Sequence, residues 1–161
     1  MNNEQSLNEA KQLLEQFGKD FVPMIGFCQA ELVQIDEKCC EIVLPLTSHT
    51  KNHLGSMYFG ALHVGADCAA GMMAMRSIQR SGYNISLVFK NSQANFFKRP
   101  DGDVHFLCTG GLESAHLVEK AQSSDERQEC ALKVEATVPA KYGNEVVAQF
   151  QLTLSLKKVS N

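Results

Sequence analysis

Residues 57–80 constrain this chain more than any other stretch. Tyr58, Phe59, Ala61, Leu62, Val64, Ala66, Cys68, Ala69, Ala70, Met72, Met73, Ala74, Met75 and Ile78 cover every face of a helix when wound at 3.6 residues per turn. A helix that is apolar all round must be enclosed by protein or by lipid. Its length would allow it to cross a bilayer. His63 and Asp67 lie in its middle, however, Gly60, Gly65 and Gly71 interrupt it, and no second run of the kind exists. The better reading is a central helix buried in a globular domain, with Met72, Met73 and Met75 as core filling.

The flanking sequence says what buries it. Hydrophobicity alternates with period two on both sides, the signature of half-buried strands. Residues 26–45 read as an antiparallel hairpin: Cys28, Ala30 and Leu32, a turn at Asp36-Glu37-Lys38, then Cys40, Ile42 and Leu44. After Ser81-Gly82 come a strand with Leu87, Phe89 and Phe97, a turn at Asp101-Gly102, and a strand with Val104, Phe106 and Cys108. A polar excursion over 110–128 holds a short helix at 116–121. Two long strands close the chain, Cys130 to Val138 and Val146 to Leu156, joined by a turn over 141–144. In front of all this, Ser6-x-x-Glu9 has the form of a capping box, Leu7, Ala10, Leu14 and Phe17 keep helical spacing, and Gly18 reads as a stop.

These elements predict one α+β domain over residues 1–161: an accessory helix over 1–19 and a core over 20–157, in which a curved antiparallel sheet wraps one long helix. A single curved sheet covers only one side of that helix, so the other side is expected to meet a second copy.

Composition narrows the function. A net charge of −3 with only 15 Lys and Arg in 161 residues offers no basic face for a phosphate backbone, so nucleic acid is not an expected partner. The polar start, residues 1–5, lacks the form of a targeting peptide. Cys28, Cys39, Cys40, Cys68, Cys108 and Cys130 lie in apolar segments without CxxC spacing. They read as reduced core thiols, and with them goes an expected cytoplasmic location.

Chemistry concentrates in Asn52-His53-Leu54-Gly55-Ser56-Met57-Tyr58-Phe59-Gly60 and in Asp67 beyond it. A loop bearing Gly and Ser runs into the N-terminus of the buried helix, where free N–H groups and the helix dipole suit an oxyanion or a polarised carbonyl. Asp67 is a carboxylate in a stretch too apolar for an idle charge. Seven residues of helix separate Gly60 from Asp67, about 10 Å. One reacting carbon cannot touch both, so a site using both must draw them from different chains across a dimer interface.

The layout resembles the hotdog fold, and the loop is similar to that of the phenylacetyl-CoA-type (PaaI-like) acyl-CoA thioesterases, with an uncharacterised branch of that superfamily as the nearest likeness. That pattern has an Asn, a Gly three positions on, His-Gly-Gly opening the helix, and an acid seven residues after the last Gly. Asn52, Gly55, Gly60 and Asp67 match it in place, whereas Tyr58-Phe59 stands where the pattern has His-Gly. The resemblance covers residues 20–157. It implies hydrolysis of an acyl-CoA thioester, with Asp67 as nucleophile or general base, Asn52 positioning water or substrate, and the N–H groups of Phe59 and Gly60 polarising the carbonyl. It further implies substrate contacts from the loop and the following strand, sites between protomers, a homodimer or dimer of dimers, and no metal or organic cofactor beyond the coenzyme A of the substrate.

Other readings stand beside these. Asp67 can instead pair within an interface. His63, one turn before it, reads as a satisfied core or interface histidine, not a metal ligand, since no third ligand is evident. Asn52 and Gly55 also suit a plain turn. His49 and His53 sit in the loop, in reach of a substrate or simply in solvent, and Tyr58 either lines an acyl pocket or packs. The polar positions Asn91, Ser92 and Gln93 are candidates for substrate contact, and Lys98-Arg99 for coenzyme A phosphates or a solvated strand end. Two alternative functions follow: a non-catalytic acyl-CoA or fatty-acyl binding protein, motivated by Tyr58-Phe59, and a hotdog hydratase or dehydratase, for which His63 would have to act.

Overall fold

The computed structural model describes residues 3–159. Helix α1 (Asn3–Gln16) continues through a π-helical turn (Phe17–Phe21) to a short helix α2 (Pro23–Phe27). Then follow β1 (Glu31–Ile35), β2 (Cys40–Leu44), the long helix α3 (Phe59–Ser81), β3 (Ile85–Phe96), β4 (Val104–Cys108) and α4 (Gly111–Gln122). The last elements are β5 (Gln128–Thr137), the one-turn α5 (Pro139–Tyr142) and β6 (Val146–Lys158). The strands form one antiparallel six-stranded sheet in the order β1-β2-β4-β5-β6-β3. The fold is therefore the α+β arrangement expected, a curved sheet around one long helix.

Alternation in the strands becomes a buried row in the sheet. Ile42 lies opposite Phe106, Phe106 opposite Ala136, and Ala136 opposite Ala148, and all four are essentially inaccessible. Helix α3 presses directly on this row. A side chain at Gly65 would run into the Phe106 ring, so the absence of a Cβ there sets how closely helix and sheet approach.

The covered faces of α3 carry Ala61, Leu62, Ala66, Ala69, Ala70, Met73 and Ala74. One stripe stays partly open: His63, Val64, Asp67, Gly71, Met75 and Ile78, at the i, i+3, i+4 spacing of a single helix face. The sheet thus leaves one side of α3 incompletely covered. At the sheet's end, the twelve-residue β3 bonds to β6 along one edge only, and Val88, Phe96 and the adjoining Phe97 are exposed.

Several local expectations are corrected. Ser6 does not cap a helix: α1 begins at Asn3, and Ser6 accepts a hydrogen bond from Arg76 Nη1 at 3.0 Å. Gly18 does not stop the helix but lies inside the π-turn, where a Cβ would sit 2.8 Å from the backbone N of Gly26. Residues 26–30 are not strand, because Pro23 at the first turn starts α2 and β1 opens only at Glu31. A bulge between Leu32 and Gln34 then breaks the alternation, so that Leu32 and Ile35 are the buried pair. The helix expected at 116–121 spans all of α4, with Leu117, Val118 and Ala121 against the core, and α5 takes up the first two residues of the expected 141–144 turn. Residues 1 and 2 of the expected accessory helix lie outside the described residues.

All six cysteines are free thiols, four of them buried. Burial pushes Cys108 up to about 11 and Cys40 higher still, which keeps both as neutral core groups. No helix among the described residues is long and apolar enough to cross a membrane.

Candidate active site

The loop before α3 is folded on its own side chains. Asn52 Oδ1 accepts from the N–H groups of Leu54 at 2.9 Å and Ser56 at 3.2 Å. Asn52 Nδ2 donates to Ser56 Oγ at 3.1 Å, and the Asn52 N–H donates to the Ser56 carbonyl at 2.7 Å. This is a closed Asx turn, and Gly55 inside it has φ +78°, a left-handed backbone suited to glycine. Buried Thr50 ties the loop's start, donating through Oγ1 to the Pro45 carbonyl at 2.7 Å. Its carbonyl accepts from the Tyr58 N–H at 2.7 Å, and the Met57 N–H donates to the Pro100 carbonyl at 2.8 Å.

These ties fix the point where α3 starts. Tyr58 is the extended residue before the helix, with no side-chain cap. The first intrahelical bond is Leu62 N–H to the Tyr58 carbonyl at 3.0 Å. The N–H groups of Phe59, Gly60 and Ala61 therefore have no intrahelical acceptor, as at any helix start, and the positive end of a 23-residue helix lies there. The Tyr58 ring lies over Gly60, where any Cβ would collide with it.

A cavity of about 320 Å³ opens at this end of α3, lined by Asn52, Ser56, Phe59, Phe96, Lys98 and Arg99 among others. Lys98 is held by Glu145 at 3.0 Å and sits over the Tyr142 ring. Arg99 has no ion pair among the described residues. Phe59 packs edge-on against Phe96 and His63, and Phe150 packs edge-on against the same two rings. The His63 Nδ1 lies 3.0 Å from the Phe59 carbonyl and donates to it. His63 is thus a satisfied member of an aromatic cluster and makes no bond to Asp67.

Asp67 stands two turns further along α3, on the partly open stripe. Its carboxylate has no hydrogen-bond partner among the described residues, and burial pushes it up to about 6. Its Oδ1 and the Phe89 ring edge flank Gly71, at 3.6 and 3.9 Å from the site of a Cβ there. A partly buried carboxylate with no internal partner is either a cost or a group awaiting one.

Within one chain the expected residues fall into separate groups. Asn52 and Phe59 line the cavity, and Gly60 and Tyr58 stand beside it at the helix start. Leu54 and His53 are exposed at the loop tip. Asp67 is displaced along the helix, and Asn91 and Ser92 are exposed on β3, just past a bulge after Phe89. Sequence reasoning placed Ser56 in this loop but missed its role as partner of Asn52, whose signal was the spacing of four residues. It also missed Phe96 as a cavity wall, which no local pattern marks. Among the described residues no group of three His, Cys, Asp or Glu side chains is placed to hold a metal ion.

The family described as Domain of unknown function (DUF4442) matches residues 10–156. Among solved structures, a protein of unknown function from Chlorobaculum tepidum superposes with a TM-score of 0.82 at 16% identity, over 98% of this chain and 97% of that one. A thioesterase from Haemophilus influenzae gives 0.68 at 15% identity, over 96% and 92%. A thioesterase from Pseudomonas aeruginosa, solved as a point variant, gives 0.67 at 13%, over 92% and 94%. No protein with curated annotation matches the sequence. At these identities the likeness is one of fold, and the fold is the hotdog fold.

Proposed function

Because the chain belongs to the DUF4442 family, a family of the hotdog type, we propose that it hydrolyses acyl-CoA thioesters, with Asp67 as the residue that drives attack. The observation that carries this reading is the Asp67 carboxylate itself: partly buried, without an internal partner, and pushed up to about 6 by that burial. A carboxylate so tuned is ionised at neutral pH and a stronger base than an exposed one. That structural neighbours include thioesterases from Haemophilus influenzae and Pseudomonas aeruginosa agrees with the reading.

In the proposed reaction a water gives its proton to Asp67 while its oxygen attacks the thioester carbonyl carbon. The carbonyl oxygen gains the negative charge and is held by the free N–H groups of Phe59 and Gly60. The tetrahedral intermediate collapses with cleavage of C–S, the departing thiolate of coenzyme A takes the proton from Asp67, and the free acid leaves. Direct attack by Asp67 through a mixed anhydride gives the same products. Neither proposed route calls on a cofactor.

Gly60 and Asp67 lie about 10 Å apart along one helix, so the proposed site is assembled from two protomers. The open stripe on α3 and the free edge of β3 support a second copy there. Asn52 then acts by holding the loop, while His53 and Tyr58 near the helix start and Asn91 and Ser92, exposed on β3, are the proposed substrate contacts.

One observation favours a second reading. The Tyr58 ring covers Gly60 and the Asn52 side chain is engaged within its own turn, which suits a binder of acyl-CoA without turnover. Thiol release from a panel of short, medium and aromatic acyl-CoAs, set beside binding of the same ligands, separates the two.

A further inference from the structure

The far end of α3 carries a second feature that thioester chemistry does not use. Arg76 is half-buried between two cavities, one of about 750 Å³ between α1, α3 and the β1–β2 turn, the other of about 340 Å³ between α3 and α4. Its Nη1 donates to Ser6 Oγ at 3.0 Å, while its Nε is buried and has no partner. Among the described residues it forms no ion pair. A guanidinium is always charged and offers five donors in a fork matched to a carboxylate, and removing such a charge from water without a counter-ion is costly.

The larger cavity has the lining an amphiphilic anion would need. Ala10, Leu13, Ile35 and Met72 supply apolar wall beside Arg76. Of the two carboxylates that line it, Glu37 is already paired with Arg80 at 3.0 Å, and Glu9 is exposed and accepts from Gln5 at 3.3 Å. Arg76 is the charge left uncompensated in this cavity. It follows Asp67 by nine residues, two and a half turns, so the two project from opposite faces of α3. A ligand on Arg76 is therefore not in the site proposed above.

We propose that the groove between α1 and α3 binds a fatty carboxylate, its head on the Arg76 guanidinium and its chain along Leu13, Ile35 and Met72. Such a ligand would tie α1 to the core, because the one side-chain hydrogen bond between α1 and α3 among the described residues is the one from Arg76 to Ser6. The inference does not depend on thioester hydrolysis.

The test uses the whole protein, its methionine methyl groups labelled with carbon-13, titrated with sodium decanoate. Met72 lines this groove and Met57 lines the cavity at the helix start, so each reports one site. The expected result is a saturable shift of the Met72 methyl with Met57 unmoved, and a loss of decanoate affinity of about tenfold or more in Arg76→Met, the loss of a charge-assisted contact. If that variant fails to fold, Leu13→Trp, which fills the groove and leaves Arg76 in place, is expected to abolish the Met72 shift. No saturable shift at Met72, a shift at Met57 alone, or a Met72 shift that survives both variants overturns the proposal.

Discussion

Asn52 and Ser56 close on one another: the asparagine accepts from the Ser56 N–H and donates to the Ser56 hydroxyl. That pair fixes the loop from which α3 and its free N–H groups begin. Asn52→Ala leaves the Leu54 and Ser56 N–H groups without their acceptor, at a cost of about 1–3 kcal/mol. The expected outcome is a lower Tm together with lower kcat/KM. Asn52→Asp keeps the acceptor for both N–H groups and should retain most of the stability, as thermal unfolding followed by circular dichroism will show. Equal Tm for wild type and Asn52→Ala would contradict the role given to this turn.

A second expectation concerns the packing of helix on sheet. Gly65→Ala places a methyl in the Phe106 ring, and overpacking of this kind costs about 1–3 kcal/mol. Phe106→Leu alone should also destabilise, by loss of buried volume. The double variant should recover part of the sum, so urea unfolding of the four proteins should yield a positive coupling. Strict additivity would mean that the two residues do not meet.

The pH dependence follows from Asp67. Burial lifts its carboxyl from an ordinary value of 3.8 to about 6. Between those values the folded chain holds a proton that the unfolded chain has lost. The stability due to this group is therefore full below about pH 4 and is lost as pH rises through about 6. Asp67→Asn escapes that loss and should gain on wild type across this range, by on the order of 2 kcal/mol. The catalytic expectation has the opposite sense, because the base must be ionised: kcat/KM rises with an apparent pKa near 6 and is flat above. Urea midpoints and thiol release at matched pH values measure both.

Arg99 lines the cavity and, unlike Lys98, is not tied to an acid. If it meets the phosphates of coenzyme A, Arg99→Gln raises KM for acyl-CoA by roughly 3–10-fold with kcat unchanged, the loss of one exposed charge contact. The same variant should leave KM for an acyl-pantetheine, which lacks the nucleotide, where it was. An equal rise for both substrates would place Arg99 elsewhere in the mechanism.

Much of this architecture was legible in the chain. The all-round apolar run predicts α3 to within two residues of its start, and clean alternation predicts β2, β4, β5 and β6. Failures came where a local signal met a tertiary partner. Ser6 and Glu9 have capping-box spacing, yet Ser6 is claimed by Arg76, seventy residues away. The alternation of residues 26–32 suggests one strand, yet Pro23 starts a short helix that runs to Phe27 and a turn follows it, so the strand opens only at Glu31. At the candidate site, Asn52, Gly55, Gly60 and Asp67 stood out by their resemblance to the PaaI-like loop pattern. Phe96 did not, because only the crossing of the β3–β4 connection over the helix start brings it beside Phe59. No periodicity records such a crossing.

Whether Asp67 drives thioester hydrolysis is measured most directly by thiol release from the same acyl-CoA with wild type and Asp67→Asn, at matched folding. The predicted result is turnover of at least one thioester by wild type, with kcat lower by about two orders of magnitude or more in the variant and acyl-CoA still bound. Turnover by Asp67→Asn at the wild-type rate would contradict the role assigned to this carboxylate.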